Sequence, residues 1–185
     1  MKAGTLSTFV ARADAAEFGI CRTLNALSHR PPVRLAFQGV SRLGDGSVWI
    51  ALLVALPLLG GRPAVRPALI MAGVGVIGIV LYKLLKQTLV RERPFITHSG
   101  ISLHGSPLDR YSFPSGHTLH AVAFTWQAVA HFPALGWVLV PFTCLVAASR
   151  VVLGLHYPSD VLAASLIGVM LATGSLWLGH AAVGI

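Results

Sequence analysis

Ser149-Arg150-Val151-Val152-Leu153-Gly154-Leu155-His156-Tyr157-Pro158-Ser159-Asp160 is the stretch on which the reading of this chain turns. It ends one apolar run, 136–153, and opens another, 160–180, leaving a cation, an imidazole and a carboxylate around the turn between them. Two segments of the same kind stand at the ends of other apolar runs: Lys86-Gln87-Thr88-Leu89-Val90-Arg91-Glu92-Arg93-Pro94 and Pro114-Ser115-Gly116-His117. Together they bring three cations, two histidines, one carboxylate and a Ser-Gly turn. Three cations suit a tri-anion, one imidazole can attack and a second can donate a proton, which is the set of groups that cleavage of a phosphate ester needs.

The rest of the chain is built for lipid. Of 185 residues, 55% are hydrophobic and 11% charged, and the mean hydropathy is +0.74, whereas a soluble domain carries about 25% charged residues. The length accommodates five or six spans of about 20 residues each, in one domain, because no polar linker separates two. The net charge is +8, from 14 Lys and Arg against 6 Asp and Glu. Those cations sit beside apolar runs, which fits anionic headgroups and a phosphorylated substrate and argues against nucleic acid. Cys21 and Cys144 give no expectation of a structural disulfide. Arg12, Asp14, Glu17 and Arg22 interrupt the first apolar residues, so the beginning does not read as a cleaved signal peptide.

Residues 4–28 read as an amphipathic helix at the membrane surface. His29-Arg30-Pro31-Pro32 ends it, and 33–43 reads as a second short interfacial helix. Spans follow over 47–60, 66–86, 117–132, 136–153 and 160–180, with a polar loop over 95–113; Gly73, Gly75 and Gly78 in the second suit close helix packing in lipid. The expected fold is an all-α integral membrane protein. It is a bundle of five transmembrane helices, six if the amino-terminal helix also spans, with amphipathic N-terminal helices. The domain organisation is a single unit over 1–185, with interfacial helices over 1–45 and the transmembrane core over 46–185. Alternation of the spans then places the end of the second, the start of the third, the end of the fourth and the start of the fifth on one membrane face. All three segments meet there.

Lys86 and Arg93 lie about two helical turns apart and share a face if the helix continues, although Pro94 disfavours helix at Arg93. Alone they also suit a snorkelling cluster at a span end. Ser115 is a plausible N-cap, and Gly116 lets an anion approach the exposed N–H groups of a helix start; an ordinary capped helix accounts for the serine but not for His117. A carboxylate on one nitrogen of His156 would leave the other free to attack, and Asp160 is close enough in sequence for that, besides being a natural N-cap.

These three ordered segments resemble, residue for residue, the tripartite signature of the type-2 phosphatidic acid phosphatase superfamily, which includes lipid phosphate phosphatases and vanadium haloperoxidases. The motif-bearing part covers 86–160, and the flanking spans suit the membrane branch. The resemblance implies that His156 is a nucleophile forming a phosphohistidine, that Asp160 orients it and that His117 is the general acid. It also implies that Lys86, Arg93, Ser115, Gly116 and Arg150 cradle the phosphate, with no metal and no cofactor. His120 could pair with His117 on a metal, but this face offers few carboxylates beyond Glu92, Asp109 and Asp160. Asp109, Arg110 and Tyr111, just before the Pro-Ser-Gly-His segment, are candidates for headgroup contacts. His98 and His104 read as solvated loop residues, and His131 and His180 as interfacial residues of the opposite face.

The expected activity is removal of phosphate from a membrane lipid: phosphatidic acid, phosphatidylglycerol phosphate, or a polyprenyl phosphate or pyrophosphate. A non-catalytic lipid-phosphate binding or translocating protein is the alternative, weighed down by the complete His117, His156 and Asp160 set. Haloperoxidase-like chemistry is disfavoured by the spans. The partners are the lipid substrate and the bilayer, and the setting is a bacterial inner membrane. Apart from the cradle, the active face carries Lys2, Arg12, Arg22, Arg30, Arg34, Arg42, Lys83, Arg91 and Arg110 against Arg62 and Arg66 opposite, an asymmetry that favours a cytoplasmic active face.

Overall fold

The computed structural model describes residues 3–107 and 109–181. Lys2 and the side chains of Arg12 and His180 lie outside the described residues. The described chain is helical: α1 (Ala3–Ala26), α2 (Pro31–Leu43), α3 (Ser47–Gly60), α4 (Arg62–Leu89), the single turn α5 (Pro94–Thr97), α6 (Gly116–His131), α7 (Gly136–Val152) and α8 (Pro158–Ala181). An isolated antiparallel bridge between Glu92 and Tyr111 is the exception. Helix punctuation follows the sequence closely: prolines at the first positions of α2, α4 and α5, where a missing N–H costs nothing, and Ser115 capping α6 at the N–H of Thr118.

Among the described residues, α4, α8 and the segment Pro133–Val152 around α7 are long and apolar enough to cross a membrane; α2 and α3, bent by 49°, make a fourth crossing if taken as one. The remaining expected span, α6, is shorter than these and runs through the middle of the bundle. α6 has 16 residues, about 24 Å of helix, and it carries polar groups inward. It packs against α4, α7 and α8 at once, with Leu119, Ala121, Ala123 and Ala128 fully buried. It is the axis of the bundle, whereas α4 and α8 present Val76, Ile77, Val80, Leu162, Leu166 and Met170 outward, the all-apolar surface that lipid requires. Small residues let the helices close on α6. A Cβ at Gly168 of α8 would stand 2.8 Å from the Leu119 carbonyl, and one at Gly75 of α4 would stand 2.8 Å from the Phe124 ring.

α1 lies against α7 and α8 and α2 lies against α7. Buried Asn25 fastens α1 to the active end: its amide donates to the carbonyls of Ser102 and Val152, and its oxygen accepts from the Ser102 N–H. The apolar core joins Trp49 of α3, Met71 of α4, Phe124 of α6 and Val146 of α7.

Candidate active site

The ends of α4, α6, α7 and α8 meet as the alternation of spans requires. α4 stops at Leu89 because Val90 adopts the left-handed conformation (φ 36°, ψ 46°), a strained setting for a β-branched residue that costs about 1–2 kcal/mol. The helix does not carry Lys86 and Arg93 on one face. The chain reverses, Arg93 is extended and Pro94 starts α5, so the two cations converge by a turn. Both are buried.

After α7 the N–H groups of Leu155 and His156 both bond the carbonyl of Arg150, which fixes the nucleophile candidate relative to a cradle cation. The turn between them needs glycine. Gly154 has φ +76°, and a Cβ there would meet the Ser102 carbonyl at 2.5 Å.

His156 is completely enclosed. Arg93 Nη1 lies 3.3 Å from its Nε2; a guanidinium only donates, so Nε2 is the unprotonated nitrogen and Nδ1 carries the hydrogen. Nδ1 faces Asp160 Oδ2 at 3.6 Å, too long for a hydrogen bond, and has no other partner. Burial above all, then Arg150, Arg93, Lys86 and His117, holds the imidazole well below the usual histidine range. It is therefore neutral at pH 7.

Asp160 is fully buried. Its Oδ2 accepts from the Tyr157 N–H at 2.8 Å and its Oδ1 from Arg91 Nη1 at 2.8 Å. Arg150 donates to the Ser41 hydroxyl of α2. Ser115 Oγ is engaged with Thr118, and its N–H points to the Asp160 carbonyl at 3.4 Å.

Lys86, Arg93, Gly116, His117, Arg150 and His156 line one cavity of about 460 Å³. Ser115 and Asp160 stand just behind its wall. Of the three candidates for headgroup contact, Asp109 lines the cavity. Its carboxylate takes Lys86 Nζ at 2.7 and 2.9 Å and Arg93 Nη2 at 3.0 Å. Arg110 instead pairs with Glu92, and Tyr111 gives its carbonyl to Lys86. His120 lines the cavity with its two ring nitrogens near the carbonyls of Gly116 and Gly75, one of which accepts the N–H of a neutral ring. His98 is half-buried between Phe18 and Tyr157, and His104 has a buried Nε2; neither is the solvated loop residue that its polar neighbours suggested.

Two residues of the site escaped the sequence. Asp45, in the α2–α3 turn, lies 2.6 Å from His117 Nε2. Arg91 reaches Asp160 from inside the Lys86–Pro94 segment. Asp45 sits between two glycines, a composition that signals a turn and nothing more, and Arg91 is one of many cations on the active face in the sequence.

The far end of the cavity is apolar. Trp49, Ile50 and Leu53 of α3 face Ala72, Val76 and Ile79 of α4. Ile50 and Val76 are 64% and 62% exposed, so this end opens outward between two helices where acyl chains would lie.

A bundle with lipid-facing helices and a cation-lined anion site at one face defines an integral membrane protein acting on a lipid-borne anion. The match to the PAP2 superfamily over residues 64–183 agrees with that architecture, and the chain belongs to this superfamily. It is 32% identical to undecaprenyl-diphosphatase BcrC of Bacillus subtilis over 83% of this chain and 79% of that protein. It is 36% identical to decaprenylphosphoryl-5-phosphoribose phosphatase of Mycolicibacterium smegmatis over 74% and 73%. Among solved structures, the transmembrane PAP2-type phosphatidylglycerolphosphate phosphatase of Bacillus subtilis superposes with a TM-score of 0.72 at 25% identity, covering 91% of this chain and 87% of that one.

Proposed function

We propose that the chain is a single membrane phosphatase domain over 1–185 that removes the terminal phosphate of a polyprenyl phosphate or diphosphate through a phosphohistidine, without a metal. One observation carries this reading: the cavity joins a neutral, unprotonated His156 Nε2 amid three cations to an apolar cleft that opens laterally between α3 and α4. A polyprenyl chain fits that cleft while its phosphate reaches Lys86, Arg93 and Arg150. The BcrC and mycobacterial relatives carry polyprenyl substrates in their names. Phosphatidic acid and phosphatidylglycerol phosphate share the headgroup chemistry and rank behind.

His156 Nε2 attacks phosphorus as the bond to the leaving oxygen breaks. Lys86, Arg93, Arg150 and the N–H groups at the start of α6 stabilise the equatorial oxygens, most strongly where water is scarce. His117 gives its proton to the leaving oxygen; Asp45, 2.6 Å from its Nε2, is placed to hold the ring through that step. Water then attacks the phosphohistidine, His117 takes its proton back and inorganic phosphate leaves. Asp160, facing Nδ1–H at 3.6 Å, stabilises the cationic ring by its charge. The metal-free reading is supported by how the carboxylates are used: Asp109 and Asp160 are consumed by cations, and no three His, Cys, Asp or Glu side chains among the described residues group to hold an ion. The excess of cations at this end favours a cytoplasmic active face in a bacterial inner membrane.

The test is phosphate release from farnesyl diphosphate and from dioctanoyl phosphatidic acid by detergent-solubilised protein. Wild type releases phosphate and His156→Ala loses on the order of a thousandfold or more in kcat. Undiminished release in that variant overturns the mechanism, and a preference for the glycerolipid overturns the polyprenyl assignment.

A further inference from the structure

We infer that Arg91, with Glu17 behind it, is a positioning residue for the reaction: it holds the Asp160 carboxylate in the orientation that serves His156, and it takes no part in binding phosphate. The inference rests on the roles given above to His156 and Asp160.

Arg91 lies between Lys86 and Arg93 in sequence, two positions from a cradle residue, yet its head is on the other side of the wall. Lys86, Arg93 and Arg150 line the cavity and Arg91 does not. Its Nη1 donates to Asp160 Oδ1 at 2.8 Å and to Ser159 Oγ at 2.6 Å, and its Nη2 donates to Glu17 Oε2 at 2.6 Å. The guanidinium stands 3.9 Å from the Tyr157 ring centroid, beside the nucleophile. Glu17 completes the clamp by accepting the Ser159 N–H on its other oxygen, at 2.8 Å. A planar fork with three of its five N–H groups engaged, and stacked, fixes what it touches.

Position matters here because Arg91 is the charged side chain that bonds Asp160, beside neutral contacts from the Tyr157 N–H and Ser112. The Asp160 Oδ2 has the Tyr157 N–H and faces His156 Nδ1 at 3.6 Å, a gap that must shorten for a hydrogen bond to form. Rotation of the carboxylate about its own axis would widen that gap, and Arg91 on Oδ1 opposes the rotation. The second effect is electrostatic. A carboxylate buried without a partner reverts to its neutral form, and neutral Asp160 no longer stabilises a cationic, phosphorylated His156 ring. Glu17 comes from α1, so the surface helix joins the site through one carboxylate.

The experiment compares Arg91→Ala, Arg91→Lys and Glu17→Gln with wild type, using farnesyl diphosphate for kcat and KM and inorganic phosphate for an inhibition constant. The expected result for Arg91→Ala is a kcat lower on the order of a hundredfold, with KM and the phosphate inhibition constant unchanged. Arg91→Lys recovers part of the loss, because an ammonium keeps the charge but not the fork, and Glu17→Gln lies between wild type and Arg91→Lys. A weakened inhibition constant in step with a raised KM overturns the proposal, since Arg91 would then belong to the cradle. Wild-type kcat in Arg91→Ala overturns it too, provided His156→Ala is inactive. If His156→Ala is active, the underlying assignment of the nucleophile fails instead. Should Arg91→Ala not fold, Arg91→Lys and Glu17→Gln decide: an unchanged kcat in both removes the positioning role.

Discussion

Asp109 occupies the cavity where a substrate phosphate must go. Burial alone would raise its carboxyl, but the hydrogen bond and charge of Lys86, with Arg93 beside it, outweigh that and hold it below the usual carboxylate range. It therefore stays ionised at any working pH, and its contribution to stability, intact above about pH 3.8, is lost only as the pH falls through its lowered native value. A phosphate that binds Lys86 and Arg93 has to displace it. Its side chain is 35% exposed, so the pair is screened and worth about 1 kcal/mol or less. Asp109→Asn should then tighten inhibition by inorganic phosphate up to about fivefold, measured by competition against farnesyl diphosphate. Weaker inhibition would make Asp109 an organiser of the cradle and not a competitor. His156 gives a second prediction. With its native pKa pushed far below an unfolded value of about 6.5, the neutral ring is favoured in the native state, so stability is intact above pH 6.5 and falls as the pH drops below it. The loss relative to His156→Gln should approach about 1.4 kcal/mol per pH unit well below 6.5 and total about 2 kcal/mol between pH 7 and 5, read from thermal unfolding of both proteins. The gathering of His156, His117, Lys86, Arg93 and Arg150 at one cavity is legible in residue type and spacing. The partners Asp45 and Glu17 are not, because each gains its role only when a distant helix end is folded against it.

Helix ends, more than helices, build this site. Apolar runs and Pro-Gly punctuation locate α3, α4, α6, α7 and α8 in the sequence to within a few residues. What the pattern hides is how a helix stops. The left-handed Val90 turns Arg93 back toward Lys86, and no propensity favours a β-branched residue there. The Gly154 turn is the converse case, a glycine whose backbone angle and closeness to Ser102 leave no room for any side chain. That α6 is the central span is hidden too, because composition does not distinguish an apolar helix facing lipid from one facing other helices. Its closeness to α8 can be measured. At Gly168 a Cβ would meet the Leu119 carbonyl at 2.8 Å and Val122 at 3.1 Å, whereas at Gly174 it meets nothing within 4 Å. Gly168→Val should destabilise the bundle by about 1–3 kcal/mol and Gly174→Val should be tolerated, as read from thermal unfolding in detergent. Equal behaviour of the two would mean that α6 and α8 are not packed so closely in the bilayer.

At the scale of the whole molecule, the same topology that gathers the chemistry also separates the charge. The hairpin between α3 and α4 and the turn between α6 and α7 lie at the end opposite the cavity, and that end bears Arg62 and Arg66, both exposed. The active end carries Arg22, Arg30, Arg42, Lys83 and Arg110 exposed among the described residues, in addition to the buried cradle. The cavity accounts for the buried cations but not for these exposed ones, which do not line it. Loop cations near span ends are retained on the cytoplasmic side during insertion, and anionic headgroups of that leaflet attract them at about 1 kcal/mol each near the surface. α8 starts at the active end with Pro158 and runs away from it, so a reporter fused after residue 185 samples the opposite side. With the active face cytoplasmic, a carboxyl-terminal alkaline phosphatase fusion is active and a green fluorescent protein fusion is dark. A fluorescent carboxyl-terminal fusion would reverse the orientation, put the phosphate site on the outer face, and assign the exposed cations to headgroups of the outer leaflet.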